Sequence, residues 1–409
     1  MNPHHSTALQ ADLALPASAP AAARAAFRLL RDLRHGSLLV QTPDGEVARF
    51  GAEPDGGPRA PLRLHNWTPC AATLRSGDIG FAESFIAGDW STPDLATLIE
   101  LLIRNRDAVE TLVYGQWWGS LWHRLHHLLR RNTRRGSRHN VHAHYDLGNE
   151  FYRLWLDPTM NYSSAWFEGD RTRELPFAQT AKVRRALNEC GVQRDDRVLE
   201  IGCGWGALAE CAARDFGARL TGVTLSKEQL AWGHKRLADA GLGGELRDQD
   251  YRDIQDGPFD AIVSIEMFEA VGLERWPEYF AALRRLLKPG GTACIQSITI
   301  RDDLFDRYVT STDFIQRYIF PGGLLPSAPR FRAAAAEAGL VLVNELDFGA
   351  DYAETLRRWL EKFLAADRSV RQLGFDTKFM RIWEFYLAYC EAAFDAGNTS
   401  VRQFTLRHA

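Results

Sequence analysis

The most telling shortages in this chain are of acid and of paired cysteine. From Thr111 to Tyr145 there is no aspartate or glutamate. The six cysteines, at 70, 190, 203, 211, 294 and 390, contain no C-x-x-C pair and have no histidine cluster at ligand spacing. That pattern argues against a structural zinc site and against a disulfide framework, and it suits a reducing cytoplasm. No run of about eighteen apolar residues occurs, so no membrane-spanning helix is expected and any membrane contact is peripheral. The N-terminus carries Asp12 and lacks a basic stretch before an apolar core, so no signal peptide is predicted. A net charge of −3 argues against a dedicated nucleic-acid binder.

What is present suggests two domains, since 409 residues exceed the usual size of one core. Residues 1–25, dominated by Ala and Pro, read as a disordered tail. Residues 26–66 alternate apolar and polar positions around turn signals such as Pro43-Asp44-Gly45. The stretch "STPDLATLIELLIRN" predicts a helix capped by Ser91 or Thr92, with Leu95, Leu98, Ile99 and Leu102 on one face. Residues 26–115 therefore form a small α+β domain. The acid-free window follows, and 116–140 reads as a basic, aromatic linker. Arg124, Arg130, Arg131, Arg134, Arg135 and Arg138 share it with Trp117, Trp118 and Trp122. A solvated linker and a patch for an anionic membrane surface are both consistent with that composition. Nucleic acid fits less well, because the aromatics cluster rather than space themselves for base stacking.

From 141 to 409 strands and helices alternate. "RVLEIG", "RLTGVTLS", "GELRDQDY", "FDAIVSI" and "GTACIQSITI" read as five strands, with "LVLVNELDFG" and "VRQFTLRHA" as two more. Alternation with helices of about 10–15 residues predicts a doubly wound α/β fold with a mostly parallel, seven-stranded sheet. The first strand ends in "EIGCGWG". Gly202, Gly204 and Gly206 make a strand-to-helix turn that lets backbone approach a ligand. The spacing misses the dinucleotide pattern, because Ala207 stands where its third glycine is needed. Glu200, two residues before the first glycine, suits a ligand with an ammonium group, such as the methionine end of S-adenosylmethionine. Thr224 and Leu225, at the end of the second strand, join the expected cofactor contacts. Gln229 reads either as a ribose ligand or as half of a capping box with Ser226. Asp250 reads as an acceptor for the adenine amino group, with Tyr251 packed on the ring, or as a turn residue. In "SIEMFEAVG", Glu266 and Glu269 lie one helical turn apart at the edge where such sheets bind ligands, and only one of them need face the cleft.

Taken together, "HYDLGNEFY", "YSSAWF", "LEIGCGWG", "GVTLSKEQ", "SIEMFEAVG", "FPGGLLPS", "DYAETLRRW" and "WEFYLAYCEAAF" resemble the cyclopropane-fatty-acyl-phospholipid synthase family, which includes the mycolic acid cyclopropane synthases. The resemblance covers 141–409, and "GDIGFAESFIAGDWSTPDL" extends it towards the N-terminus. It implies a Rossmann-like class I methyltransferase domain that uses S-adenosylmethionine to turn the cis double bond of a phospholipid acyl chain into a cyclopropane ring. The alkene attacks the sulfonium methyl, and a bound bicarbonate removes a proton from the added methyl. By the same resemblance, Glu269, Tyr352, Ser164 and the backbone amides of Gln296 and Ile298 hold the bicarbonate, while Tyr162 and Ser163 lie beside the cofactor. Ser164 and Gln296 stand where many family members have Cys and His. Trp166, Phe167, Tyr318 and Phe320 are candidates to line an acyl tunnel, with core packing the alternative for each. No metal is implied. The expected partners are unsaturated phospholipids at the cytoplasmic face of a membrane and a second copy of the chain. A methyl- or methylene-branching enzyme of the same family is the alternative. An RNA or small-molecule methyltransferase fits less well, because "SIEMFEAVG" stands in place of an Asn/Asp-Pro-Pro-aromatic run.

Overall fold

A computed structural model of the chain describes residues 15–16, 19–51, 57–107 and 147–409. The basic window from Arg124 to Arg138 lies outside the described residues, and so does the expected linker it belongs to. The chain divides into two compact units, one of Met1–His123 with Phe375–Ala396, the other of Arg124–Gly374 with Gly397–Ala409.

The first unit holds a four-stranded sheet: β1 (Ser37–Gln41), β2 (Val47–Gly51), β3 (Arg59–Leu64) and β4 (Trp90–Ser91), in the order β2-β1-β3-β4. β1 and β2 form an antiparallel hairpin, and β3 runs parallel to β1. Three points differ from the sequence expectation. The alanine-rich Ala21–Leu30 is a helix rather than part of a disordered tail. Alanine favours helix, and Ala23, Phe27 and Leu29 are buried, with Phe27 edge-on to Phe50 at 5.4 Å. The helix Leu95–Arg104 is capped by Asp94 rather than by Ser91 or Thr92, the Asp94 carboxylate accepting from the Thr97 N–H at 2.9 Å. The expected domain 141–409 is also interrupted. Its helix Thr377–Asp395 packs with Thr68–Ala87 and Leu95–Arg104, where Tyr389 donates to Asp78 at 3.2 Å.

The second unit is built on β5 (Arg197–Ile201), β6 (Arg219–Thr224), β7 (Glu245–Asp248), β8 (Phe259–Ile265), β9 (Leu287–Ile300), β10 (Leu340–Asp347) and β11 (Thr399–His408). All seven strands expected from the sequence are present, in the order β10-β11-β9-β8-β5-β6-β7. β5 to β9 are parallel, and β11 is antiparallel to both of its neighbours. Alternation on β5 sends Leu199 and Ile201 into one apolar layer and Val198 into the other. After β5 the chain passes to β6 on one side and later returns to β8 on the other. Such a reversal opens a crevice at the carboxyl ends of β5 and β8. No described helix is long and apolar enough to cross a membrane.

Candidate active site

The turn after β5 follows from its glycines. Gly202, Gly204 and Gly206 have φ of +87°, +49° and +81°, values that side chains with a Cβ rarely adopt. A Cβ on Gly206 would lie 3.2 Å from Gly233 Cα, so this glycine lets the turn pack against the helix Lys227–Asp239. A Cβ on Gly204 would meet nothing within 4 Å. Behind the turn, Glu200 is buried and its Oε2 has no hydrogen-bond partner. Burial pushes its carboxyl up to about 8, against an opposing pull from Arg236. A buried carboxylate with a spare oxygen beside open backbone suits a ligand carrying an ammonium group, so these residues fit S-adenosylmethionine.

The other expected cofactor contacts are partly engaged with one another. Thr224 donates to Gln229 Oε1 at 3.1 Å, and the Gln229 N–H donates to the Ser226 hydroxyl, so Gln229 serves both the helix start and the end of β6. Leu225, between them, is half-buried. Asp250 caps the short turn Tyr251–Asp253, and both of its oxygens are gripped by Arg252. It is therefore a paired turn residue rather than an unengaged acceptor. Tyr251 packs edge-on to Tyr279 at 5.5 Å.

The segment "YSSAWF" crosses the crevice. Tyr162 packs with Tyr152, Trp155 and Trp359, all within 5.6 Å between ring centres. Asn149 accepts from the Trp205 indole at 2.7 Å, which ties the "LGNEFY" turn to the glycine turn. Successive N–H groups anchor the segment: Ala165 to Thr355 Oγ1 at 3.1 Å, Trp166 to the Ala178 carbonyl at 3.1 Å and Phe167 to Asp351 at 2.8 Å. Ser163 is buried, its carbonyl accepting from Gln179 and its hydroxyl from Lys182. Phe167 is buried with Arg358 over its ring at 4.7 Å, while Trp166 is half-buried beside Arg185 and Tyr318 stacks on Phe314.

The two glutamates separate here, and not as the sequence led us to expect. Glu266 follows the end of β8 with φ +50°, a left-handed conformation that a glutamate adopts only when its surroundings enforce it. Its Oε1 accepts from the Ser164 N–H at 2.9 Å and from Gln296 Nε2 at 2.8 Å, and its Oε2 accepts from the Tyr352 hydroxyl at 2.7 Å. Glu269, one short turn later, accepts instead from the Ile298 N–H and the Ser297 hydroxyl, and its Oε2 is buried without a partner. Three of the groups expected around Glu269 and an anion thus close on Glu266. Gln296 takes part through its side chain, because its backbone is paired in β9 between two strands. Ser164 takes part through its N–H, because its hydroxyl donates to the Ala165 carbonyl. Glu269 is pushed up to about 8 by burial and by Glu266. Glu266 is also raised by burial, against opposing pulls that begin with Lys182.

Sequence reasoning missed Lys182 and Gln403. Lys182 is fully buried and lowered to about 8 by that burial. Gln403 donates to Gln296 Oε1 at 2.9 Å, which turns the Gln296 amide so that its nitrogen faces Glu266. A signal for Lys182 existed: Gln179 and Lys182 sit among the buried Leu175, Ala178, Val183 and Ala186 on the inward face of one helix. Polar residues at such positions need a reason.

This sheet order, with a glycine turn and a spare buried carboxylate at its switch point, defines a Rossmann-like class I methyltransferase. The family model for mycolic acid cyclopropane synthetase matches residues 132–404, and the chain belongs to that family of S-adenosylmethionine-dependent, lipid-acting methyltransferases. It is 40% identical over 403 residues to tuberculostearic acid methyltransferase UfaA1 of Mycobacterium tuberculosis, covering 96% of this chain and 92% of the relative. It is 33% identical over 359 residues to the cyclopropane-fatty-acyl-phospholipid synthase of Escherichia coli, covering 87% and 90%. Among solved structures, mycolic acid cyclopropane synthase CmaA1 complexed with SAH and CTAB aligns with a TM-score of 0.62 at 34% identity, covering 66% of this chain and 97% of that one.

Proposed function

We propose that the protein uses S-adenosylmethionine to methylate the cis double bond of an unsaturated acyl chain in a membrane phospholipid, and that loss of a proton from the added methyl closes a cyclopropane ring. The observation that carries this reading is the buried Glu266–Tyr352 pair at the carboxyl end of β8, in the same unit as the glycine turn and Glu200. When bound, S-adenosylmethionine supplies an electrophilic methyl. Tyr162, Ser163, Glu200, the glycine turn and Thr224 would hold it. The protein's own task is to bury the alkene, shield the cation that methylation leaves, and accept one proton. The relatives support a lipid substrate: the Escherichia coli protein is a cyclopropane-fatty-acyl-phospholipid synthase and the Mycobacterium tuberculosis protein a tuberculostearic acid methyltransferase.

Bicarbonate is the base the family resemblance implies. It does not fit the site as it stands, because the Ser164 N–H, the Tyr352 hydroxyl and Gln296 already bond to Glu266.

A second reading is favoured by the 40% identity to the tuberculostearic acid enzyme. A hydride shift before proton loss would leave a methylene branch instead of a ring. Lipids from a host expressing the protein, analysed by mass spectrometry and proton NMR, decide between the two. Acyl chains heavier by one CH2 with ring protons support the cyclopropane. Vinylidene protons support the branch. No added CH2 would sink both.

A further inference from the structure

Glu266 lies where an anion belongs. Three donors from three separate stretches of chain converge on it: a backbone N–H from the segment after Tyr162, an amide from β9, and a phenol from the helix Gly349–Ala365. Each side-chain donor is itself fixed. Gln403 orients the Gln296 amide, and Tyr352 packs edge-on to Trp359 at 6.2 Å. The backbone at Glu266 holds an unfavourable left-handed conformation, which points to a carboxylate delivered to a particular place.

We propose that the Glu266 carboxylate is the base of the reaction, a built-in substitute for a bound bicarbonate. This deepens the reading above and rests on it. The alkene carbons form a bond to the methyl as its bond to sulfur breaks, leaving a carbocation. A C–H bond of the added methyl then breaks, and its electron pair closes the ring, or forms the branch double bond after a hydride shift. The proton passes to Glu266. No further oxidant, reductant or anion is required.

The surrounding groups suit this role. Tyr352 and the Ser164 N–H stabilise the ionised carboxylate before the reaction, and Lys182 balances its charge from a buried position. Burial holds the carboxyl above its ordinary range, which makes it a stronger base than a surface glutamate. Glu269 is held by Ile298 and Ser297 and lacks the tyrosine.

The test uses the full-length protein, unsaturated phosphatidylglycerol vesicles and decarbonated buffer with or without added bicarbonate. Wild-type turnover should be the same in both. Glu266→Gln should fall by about a hundredfold or more and stay low with bicarbonate, because the amide fills the place without accepting a proton. Glu266→Gly suits the left-handed backbone and empties the site. It should bind 13C-labelled bicarbonate in an NMR titration and regain turnover when bicarbonate is added. Binding of S-adenosylhomocysteine by each variant reports that it is folded. Wild-type turnover that requires bicarbonate, wild-type binding of labelled bicarbonate, or full turnover by Glu266→Gln would overturn the proposal. If the wild type adds no CH2 to any lipid, the proposed function fails instead, and the NMR titration still shows whether Glu266 fills the anion site.

Discussion

The Lys182 ammonium donates to the Ser163 hydroxyl with both side chains buried. Ser163 adjoins Ser164, whose N–H reaches Glu266, so one short segment links the buried cation to the buried carboxylate. Lys182 is lowered from 10.5 to about 8. Between those values the unfolded chain binds more protons than the folded one, so stability rises with pH across that window. Below about 8 the cost of burying the charge is fully present. Urea unfolding from pH 7 to 10 should show wild type gaining stability relative to Lys182→Met as pH rises. A constant difference would contradict the assignment.

The same variant should shift catalysis. Lys182 is the largest influence holding the Glu266 carboxyl down, with Tyr352, Ser164 and Gln296 behind it, while burial pushes it up and Glu269 lies nearby. Without Lys182 the carboxyl rises further and ionises only at higher pH. The acid limb of a turnover–pH profile should therefore move to higher pH in Lys182→Met. An unmoved limb would separate Lys182 from the base.

Glu200 predicts a proton signature of binding. With its carboxyl at about 8, it is largely protonated near pH 7. An arriving ammonium favours the ionised form, so S-adenosylhomocysteine should release protons on binding and bind more tightly as pH rises towards 8. Calorimetry in buffers of different ionisation enthalpy reads this directly. Glu200→Gln should bind about tenfold more weakly, about 1.4 kcal/mol, and without proton release. Buffer-independent heat in the wild type would refute the contact.

Two glycines should behave oppositely on substitution. Gly204→Ala adds a methyl to open space at φ +49°, so it should lower Tm only modestly while weakening S-adenosylhomocysteine binding. Gly222→Ala places a Cβ 2.7 Å from Leu246 and 2.9 Å from Cys203, inside the core. It should unfold more easily, by about 1–3 kcal/mol. Equal effects of the two on binding and on Tm would refute the ligand-facing role of Gly204.

The arginine-rich window makes a separate prediction. Replacing Arg130, Arg131, Arg134 and Arg135 by Ala should weaken binding to anionic vesicles by about 1 kcal/mol per residue at low salt and leave S-adenosylhomocysteine binding intact. Equal vesicle binding would rule the patch out.

The catalytic sheet was readable because hydrophobic runs of strand length alternate with glycine-marked turns, and both signals are local. The glycine turn was readable for the same reason. The choice between Glu266 and Glu269 was not. It depends on one backbone angle and on donors 30 to 102 residues away in sequence, neither of which spacing encodes. Asp250 stayed open between an adenine acceptor and a turn residue for a related reason, because its pairing with Arg252, two residues on, depends on the shape of the turn. The cap falls on Asp94 because residue type alone does not separate Ser91, Thr92 and Asp94, all of which can cap a helix.

The strand β11 lies between β9 and β10, yet it is reached only after the chain has made the helix Thr377–Asp395 in the other unit. The methyltransferase sheet therefore stays open along β9 until residues near 399–408 emerge from the ribosome. Neither unit is encoded by one uninterrupted stretch of gene. A fragment ending before Thr399 would expose the edge of β9, which is buried in the finished protein, and such an edge invites pairing with other chains. Dissection of this enzyme into halves would have to follow the interleaving of its chain rather than a single cut.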